Sequence, residues 1–227
     1  MATGLTSAST VVRDAISKLD VDAVGVAALA DWKGTILEDT ALRLLPQARS
    51  VVVFAMEISH EVLDLVSQGK EMGVASMNDL LDREADFLSG RLTKASHDVA
   101  KASRKSGLRA LPLPAAGCPL DTRFLKAVFS YKHAGQAAGL GTLGKHSLLI
   151  TPDFGPRVRL SCCLTEAILE PTMGNAPWEC ASCSICIDNC PARALTEAEA
   201  GETYAINKFA CSSFRNASGG CLECLRL

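Results

Sequence analysis

Cys180-Ala-Ser-Cys183-Ser-Ile-Cys186-Ile-Asp-Asn-Cys190-Pro191 decides how this chain is read. Its spacing is C-x2-C-x2-C-x3-C-P. Three thiolates two residues apart wrap a tight loop around one iron–sulfur cube, and the fourth, fixed ahead of a proline, reaches a second cube. Tetrahedral zinc also uses C-x2-C, but usually as two separated pairs. A disulfide framework is the other alternative for such a run. The spacing fits iron–sulfur ligation best, and it implies two [4Fe-4S] clusters.

Cys211, Cys221 and Cys224 follow, and with Cys190 they make a full ligand set for the second cluster. Cys180, Cys183 and Cys186 then hold the first, which needs one more ligand. Motifs of this type exchange their last cysteines. Continuing C-x2-C-x3-C-P from Cys221 puts that residue one position past Leu227, so the expectation is a chain truncated there or another ligand on one iron. Cys118, Cys162 and Cys163 are the remaining thiols. A lone cysteine in an apolar strand is usually a small buried hydrophobe, and adjacent Cys162 and Cys163 point to opposite faces of a strand.

The composition is globular, with 48% apolar and 21% charged residues. A net charge of -2 argues against nucleic acid or an anionic membrane as the main partner. The longest apolar run, Val51 to Met56, is far short of the ~20 residues of a membrane span. No export signal is visible between Met1 and Thr10. The expectation is a cytoplasmic protein, where a reducing environment leaves ten cysteines to metal rather than to disulfides.

Upstream, the periodicity predicts a helix over Ser9 to Leu19, a buried strand over Ala23 to Ala28, a helix over Asp39 to Leu45 and an apolar strand over Ser50 to Ile58. This is the grammar of an α/β sheet buried on both faces. A long helix is expected from Asn78 to Lys105, stopped by Gly107. A strand over Leu108 to Leu113 and a helix between Thr122 and Ala138 follow, the latter carrying Tyr131, Lys132 and His133. Pro171 to Glu179 reads as a linker.

The second informative stretch is Gly139-Leu-Gly141-Thr-Leu-Gly144-Lys145-His146-Ser-Leu-Leu149-Ile-Thr-Pro-Asp-Phe-Gly-Pro-Arg157. Its glycines permit a tight backbone that approaches a ligand closely. The G-x-G-x-x-G spacing stands after a helix and before a strand, the reverse of the dinucleotide fingerprint, so a nucleotide reading is rejected. Ser147 to Ile150 and Val158 to Leu164 are expected to pair across the Pro-Asp-Phe-Gly-Pro turn. Arg157 and Arg159 alternate with Val158 and Leu160, which predicts one polar and one buried strand face.

With both stretches quoted, the chain resembles the family of epoxyqueuosine reductases and reductive dehalogenases. The resemblance is carried by Ala138 to Lys145, Leu148 to Arg157, the run ending in Cys190-Pro191, and Cys211-Ser-Ser-Phe214 before Gly220-Cys221-Leu-Glu-Cys224. It implies a nitroreductase-related α/β domain, a sheet flanked by helices, over residues 1–170, and a bacterial-ferredoxin-like [4Fe-4S] module over 171–227. It further implies a cobalamin held between them, with electrons passing through the clusters to cobalt. By position Lys145, Leu149 and Leu160 match residues lining the corrin, with Ser213 approaching from the cluster side.

The implied function is that of a cobalamin-dependent iron–sulfur oxidoreductase, acting on a small organic substrate or a partner corrinoid protein. An external donor of ferredoxin or flavodoxin type would supply the electrons. The rivals are an FMN-dependent reductase on the same α/β fold and a non-catalytic electron carrier or cofactor-binding protein. Two departures bear on this. The position of the catalytic Asp in epoxyqueuosine reductases falls on Leu125, with Asp121 out of register, which removes the main argument for a tRNA-base substrate. No tyrosine matches the dehalogenase proton donor; Tyr131 and His133, beside the glycine turn, are the catalytic candidates, and Gly141 and Gly144 the cofactor-binding glycines.

Overall fold

The computed structural model describes residues 2–67, 74–116, 120–174, 180, 182–218 and 220–226, with side chains described outside 2–6, 67 and 74–78. Two compact units are interleaved along the chain. One gathers Met1–Met56, Leu88–Leu140 and Arg159–Asn175; the other gathers Glu57–Phe87, Gly141–Val158 and Ala176–Leu227.

The first unit is built on a sheet of order β1-β2-β8-β3. Helix α1 (Ala2–Ile16) precedes β1 (Ala23–Ala28), which pairs antiparallel with β2 (Ser50–Glu57) from Ala23↔Ala55 to Ala28↔Ser50. Val51 to Ala55 are fully buried, as an all-apolar strand covered on both faces must be. Between the strands lies α2 (Ile36–Leu44), which starts earlier than its apolar spacing predicts. The reason is its cap: Thr35 Oγ1 accepts the Glu38 N–H at 3.4 Å, and Glu38 Oε2 accepts the Gly34 N–H at 2.7 Å. Helix α3 (His60–Ser67) belongs to the second unit.

Helix α4 (Val74–Lys105) ends as its sequence predicts. Gly107, at φ 77°, donates its N–H to Arg104 O, and the Leu108 N–H bonds Ser103 O, a Schellman closure. Strand β3 (Ala110–Leu113) then pairs antiparallel with β8 (Val158–Thr165), with Leu113 opposite Cys162. Pro112 is tolerated because β3 is an edge strand. Arg49 N–H to Thr165 O and Ile58 N–H to Arg157 O, at opposite ends of β2, run β8 antiparallel to it.

Three serines spaced seven residues apart fasten α4 to β8. Ser89 Oγ accepts from Arg159 Nε (3.0 Å), Ser96 Oγ donates to Cys162 O (2.7 Å), and Ser103 Oγ meets Thr165 Oγ1 (3.0 Å). Seven helical residues rise about 10.5 Å and three strand residues about 10 Å, so the two series stay in step. Ser96 also accepts the Leu113 N–H at 3.1 Å. Ser96→Ala removes a partner from two buried backbone groups and is expected to cost about 2 kcal/mol in chemical denaturation. Gly90, exposed on α4 with nothing near its missing Cβ, is the opposite case. Gly90→Ala is expected to raise stability by about 1 kcal/mol, read as a higher denaturation midpoint.

Several expectations are corrected. The stretch expected as one helix from Thr122 to Ala138 is a hairpin, β4 (Leu120–Asp121) against β5 (Lys126–Ala127), followed by a short α5 (Tyr131–Ala137). Asp121 Oδ1 accepts the Arg123 N–H at 3.0 Å and Leu125 takes φ 45°, which turns the chain back before a helix can start. The expected pair across the proline turn does not form: β7 (Leu149–Ile150) pairs instead with β6 (Thr142–Leu143). Thr151 and Gly155 close that turn on themselves with N–H to O bonds of 2.8 and 3.0 Å, releasing β8 to the interior of the large sheet. The entry of β8 has no polar face, since Arg157 to Leu160 are all half-buried.

The expected first helix begins at Ala2 and stops at Ile16, short of Leu19. The start of the expected linker is anchored: the Thr172 N–H bonds Val26 O (2.9 Å) and Thr172 Oγ1 accepts the Val26 N–H (3.0 Å). Residues 175–179 of that linker lie outside the described residues. Among the described residues, no helix is long and apolar enough to cross a membrane.

Candidate metal centre

In the second unit the cysteine run forms a loop closing on α6 (Ile185–Asp188). The Cys183 N–H bonds Cys180 O at 3.1 Å, the Arg193 N–H bonds Cys190 O at 2.9 Å, and the Ala194 N–H points at Cys190 Sγ at 3.3 Å. The chain returns through β9 (Leu195–Thr196) and β10 (Ala205–Ile206), paired antiparallel, into α7 (Lys208–Ala217), which carries Cys211. Asn207 caps α7 by accepting the Ala210 N–H at 3.0 Å. The short α8 (Glu223–Arg226) carries Cys224.

Electrostatics brings these thiols within range of one another, with Cys186 among the neighbours of Cys224. Burial pushes the Cys186 thiol up, with Cys180 and Cys183 adding to the rise. Burial, then Cys221 and Cys190, raise Cys211. Cys224 is pushed up to about 12 by burial, with Cys190 and Cys221 the strongest of its neighbours. Thiolates formed here would repel one another, and a cationic centre would offset that repulsion. All nine described cysteines are free, and no three described His, Cys, Asp or Glu side chains converge on a point where one ion would sit. A zinc ion needs its sulfurs at about 2.3 Å, and no such convergence occurs among the described residues.

A second observation concerns packing. Among the described residues of 180–226, only Cys186, Ala194 and Leu195 are buried. A segment with so little apolar core needs another staple, for which a metal centre serves. Cys162 and Cys163 are different: both are fully buried in β8, and burial holds Cys163 at about 12. They are core side chains, while Cys118 lies outside the described residues.

The glycine turn shares this unit. Lys145, with only 14% of its side chain exposed, pairs with Glu197 just after β9 at 3.0 Å. Glu197 is a partner that sequence reasoning missed, since an acid beyond the cysteine run carries no motif. His146 is buried, and its Nδ1 accepts the Leu148 N–H at 3.1 Å. Leu149 is buried, and Ser213 is exposed on α7. In the same unit, Glu84 Oε2 and Arg157 Nε are buried polar atoms without hydrogen-bond partners, although Ser59 holds the other Glu84 oxygen and Glu57 meets Arg157 Nη2 at 3.3 Å.

One unit thus gathers Gly141, Gly144, Lys145, Leu149, Ser213 and the seven cysteines, while Tyr131, His133 and Leu160 belong to the other. The Tyr131 hydroxyl donates to Pro114 O at 2.6 Å, and exposed His133 shares a 2.6 Å hydrogen bond with Ser130. Asp121 is half-buried, and its hydrogen-bonded Arg123 holds its carboxyl below the usual range. A shallow groove of about 550 Å³ beside α2, lined by Thr35, Glu38 and Arg43, includes none of the expected site residues.

No protein-family model matches the chain. It is 27% identical over 190 residues to an epoxyqueuosine reductase of Bacillus subtilis, covering 79% of this chain and 42% of the relative. To a tetrachloroethene reductive dehalogenase of Desulfitobacterium hafniense it is 30% identical over 154 residues, 65% of this chain and 24% of the relative. An epoxyqueuosine reductase solved with an epoxyqueuosine-modified tRNA stem loop aligns with a TM-score of 0.54 at 19% identity, over 98% of this chain and 66% of the other. A reductive dehalogenase solved in a study of B12-dependent dehalogenation aligns at 0.63 and 17% identity, over 90% and 28%. The chain therefore spans less than half the length of the curated relatives it matches. In sequence and in fold it is related to the epoxyqueuosine reductases and reductive dehalogenases.

Proposed function

We propose that the chain is an iron–sulfur redox protein that passes electrons through two [4Fe-4S] clusters to a bound corrinoid. The reaction served would be reductive removal of a group from a small organic substrate, or reductive activation of a partner corrinoid protein. One observation carries the reading: crowded thiols in a segment that buries three side chains among its described residues. Cys180, Cys183 and Cys186 would hold one cluster, and Cys190, Cys211, Cys221 and Cys224 the other. Residues 171–227 would be the cluster-bearing domain and 1–170 the cofactor-binding one, in a cytoplasmic protein.

When bound, the corrinoid supplies the low-valent metal chemistry that side chains lack. The remaining work falls to this chain. Gly141 and Gly144 keep the turn thin, while Leu149 and Leu160 would exclude water. Lys145, held by Glu197, would meet a ligand's polar edge. Tyr131 and His133 would hold protons at Oη and the imidazole nitrogens.

A specific observation favours the electron-carrier alternative as the second reading. Asp121, tied to Arg123 and kept ionised, is a poor proton donor, and the Tyr131 proton is already given to Pro114. A relative bound to a tRNA stem loop keeps tRNA as a partner to test, although a net charge of -2 gives it no electrostatic support. The absorption spectrum of anaerobically purified protein tests the proposal: corrinoid bands are expected beside the iron–sulfur envelope, and flavin bands would replace it with the FMN reading.

A further inference from the structure

Helix α7 has no buried residue although it carries Cys211. Lys208, Cys211 and Arg215 stand at i, i+3 and i+7 and share one helix face, with Phe209 and Ser213 turned away from it. Both cations are exposed, and no Asp or Glu occurs between Glu202 and Glu223. Among the described residues neither cation has a carboxylate within ion-pair distance. In a chain of net charge -2, two unpaired cations flanking a thiol are a local inversion of sign.

We propose that this face of α7 is the docking surface for an acidic electron-carrier protein that reduces the second cluster. The inference rests on the reading that Cys211 ligates that cluster. One electron leaves the carrier's reduced flavin or iron–sulfur centre and enters the cluster; no bond is made or broken. Transient redox partners use small interfaces, below about 1,200 Å², and draw their association rate from complementary charge. The Lys208 and Arg215 pair supplies that charge beside the residue through which the electron would enter.

The test is anaerobic stopped-flow reduction by photoreduced flavodoxin across a salt series, comparing wild type with Lys208→Glu/Arg215→Glu. At low salt the second-order rate constant is expected to fall by about tenfold or more, with its salt dependence lost. Reduction by titanium(III) citrate and iron content should be unchanged. Should the Glu pair fail to fold, Lys208→Gln/Arg215→Gln is expected to show the same loss in smaller measure. An unchanged rate and salt dependence would overturn the proposal, as would normal reduction joined to lost affinity for an RNA stem loop. Wild-type protein that titanium(III) cannot reduce refutes the cluster reading itself, a distinct result.

Discussion

Stripping iron from the purified protein is expected to unfold residues 180–226 while leaving the four-stranded sheet intact. Ordering each residue costs about 1–2 kcal/mol of backbone entropy, so this segment faces a cost of tens of kcal/mol. Its three buried side chains return about 1.5–3 kcal/mol each at most. One short strand pair and the caps of α7 do not close that gap. The sheet has its own core in Val51 to Ala55, Leu92, Val99 and Leu164 and needs no metal. Chelation followed by limited proteolysis should cut between Cys190 and Cys221 and spare residues 50–56 and 88–105. Protection of the cysteine segment after iron loss would show that its packing is self-sufficient.

Gly141→Ala is expected to be nearly as damaging, for a reason unconnected with a cofactor. A Cβ at Gly141 would stand 2.0 Å from Ile150 O and 2.8 Å from Ile150 C, both backbone atoms of β7 that cannot move without breaking the β6–β7 pair. At Gly144 the nearest atoms are His146 Cε1 and Ile150 Cδ1, each at 2.7 Å, and both are side chains that can rotate. Gly141→Ala should therefore cost about 3 kcal/mol or more, and Gly144→Ala about 1–2 kcal/mol, by chemical denaturation. Equal and small effects of the two changes would mean that the turn is looser than this packing requires.

Where a single interaction decides an element, the sequence was readable. The strand Ala23–Ala28 has the predicted bounds, the apolar run at Ser50 gives the interior strand, and Gly107 ends the long helix in the left-handed conformation expected of it. Asp121 and Leu125 mark the failure. Apolar spacing from Thr122 to Ala138 suits a helix, but one carboxylate taking the amide two residues on is enough to make a hairpin, and an Asp before Thr-Arg was the available signal. Pairing failed at β7 because choosing between β6 and β8 depends on the missing side chain of Gly141, a contact distant from any strand pattern.

The site shows the same division. Cysteine spacing is a local property, and the thiols it named lie within electrostatic range of one another. Lys145 was read from resemblance, but its partner Glu197 and the unpaired atoms of Glu84 and Arg157 come from segments far apart in sequence. No spacing rule joins such residues.

Iron and acid-labile sulfide, quantified with electron paramagnetic resonance of the dithionite-reduced, anaerobically reconstituted protein, test the central claim most directly. Iron and sulfide are expected in equal amounts, with signals of reduced [4Fe-4S] centres and loss of the second centre alone in Cys211→Ser. Stoichiometric zinc, or thiols that all remain free to alkylation after reconstitution, would contradict it.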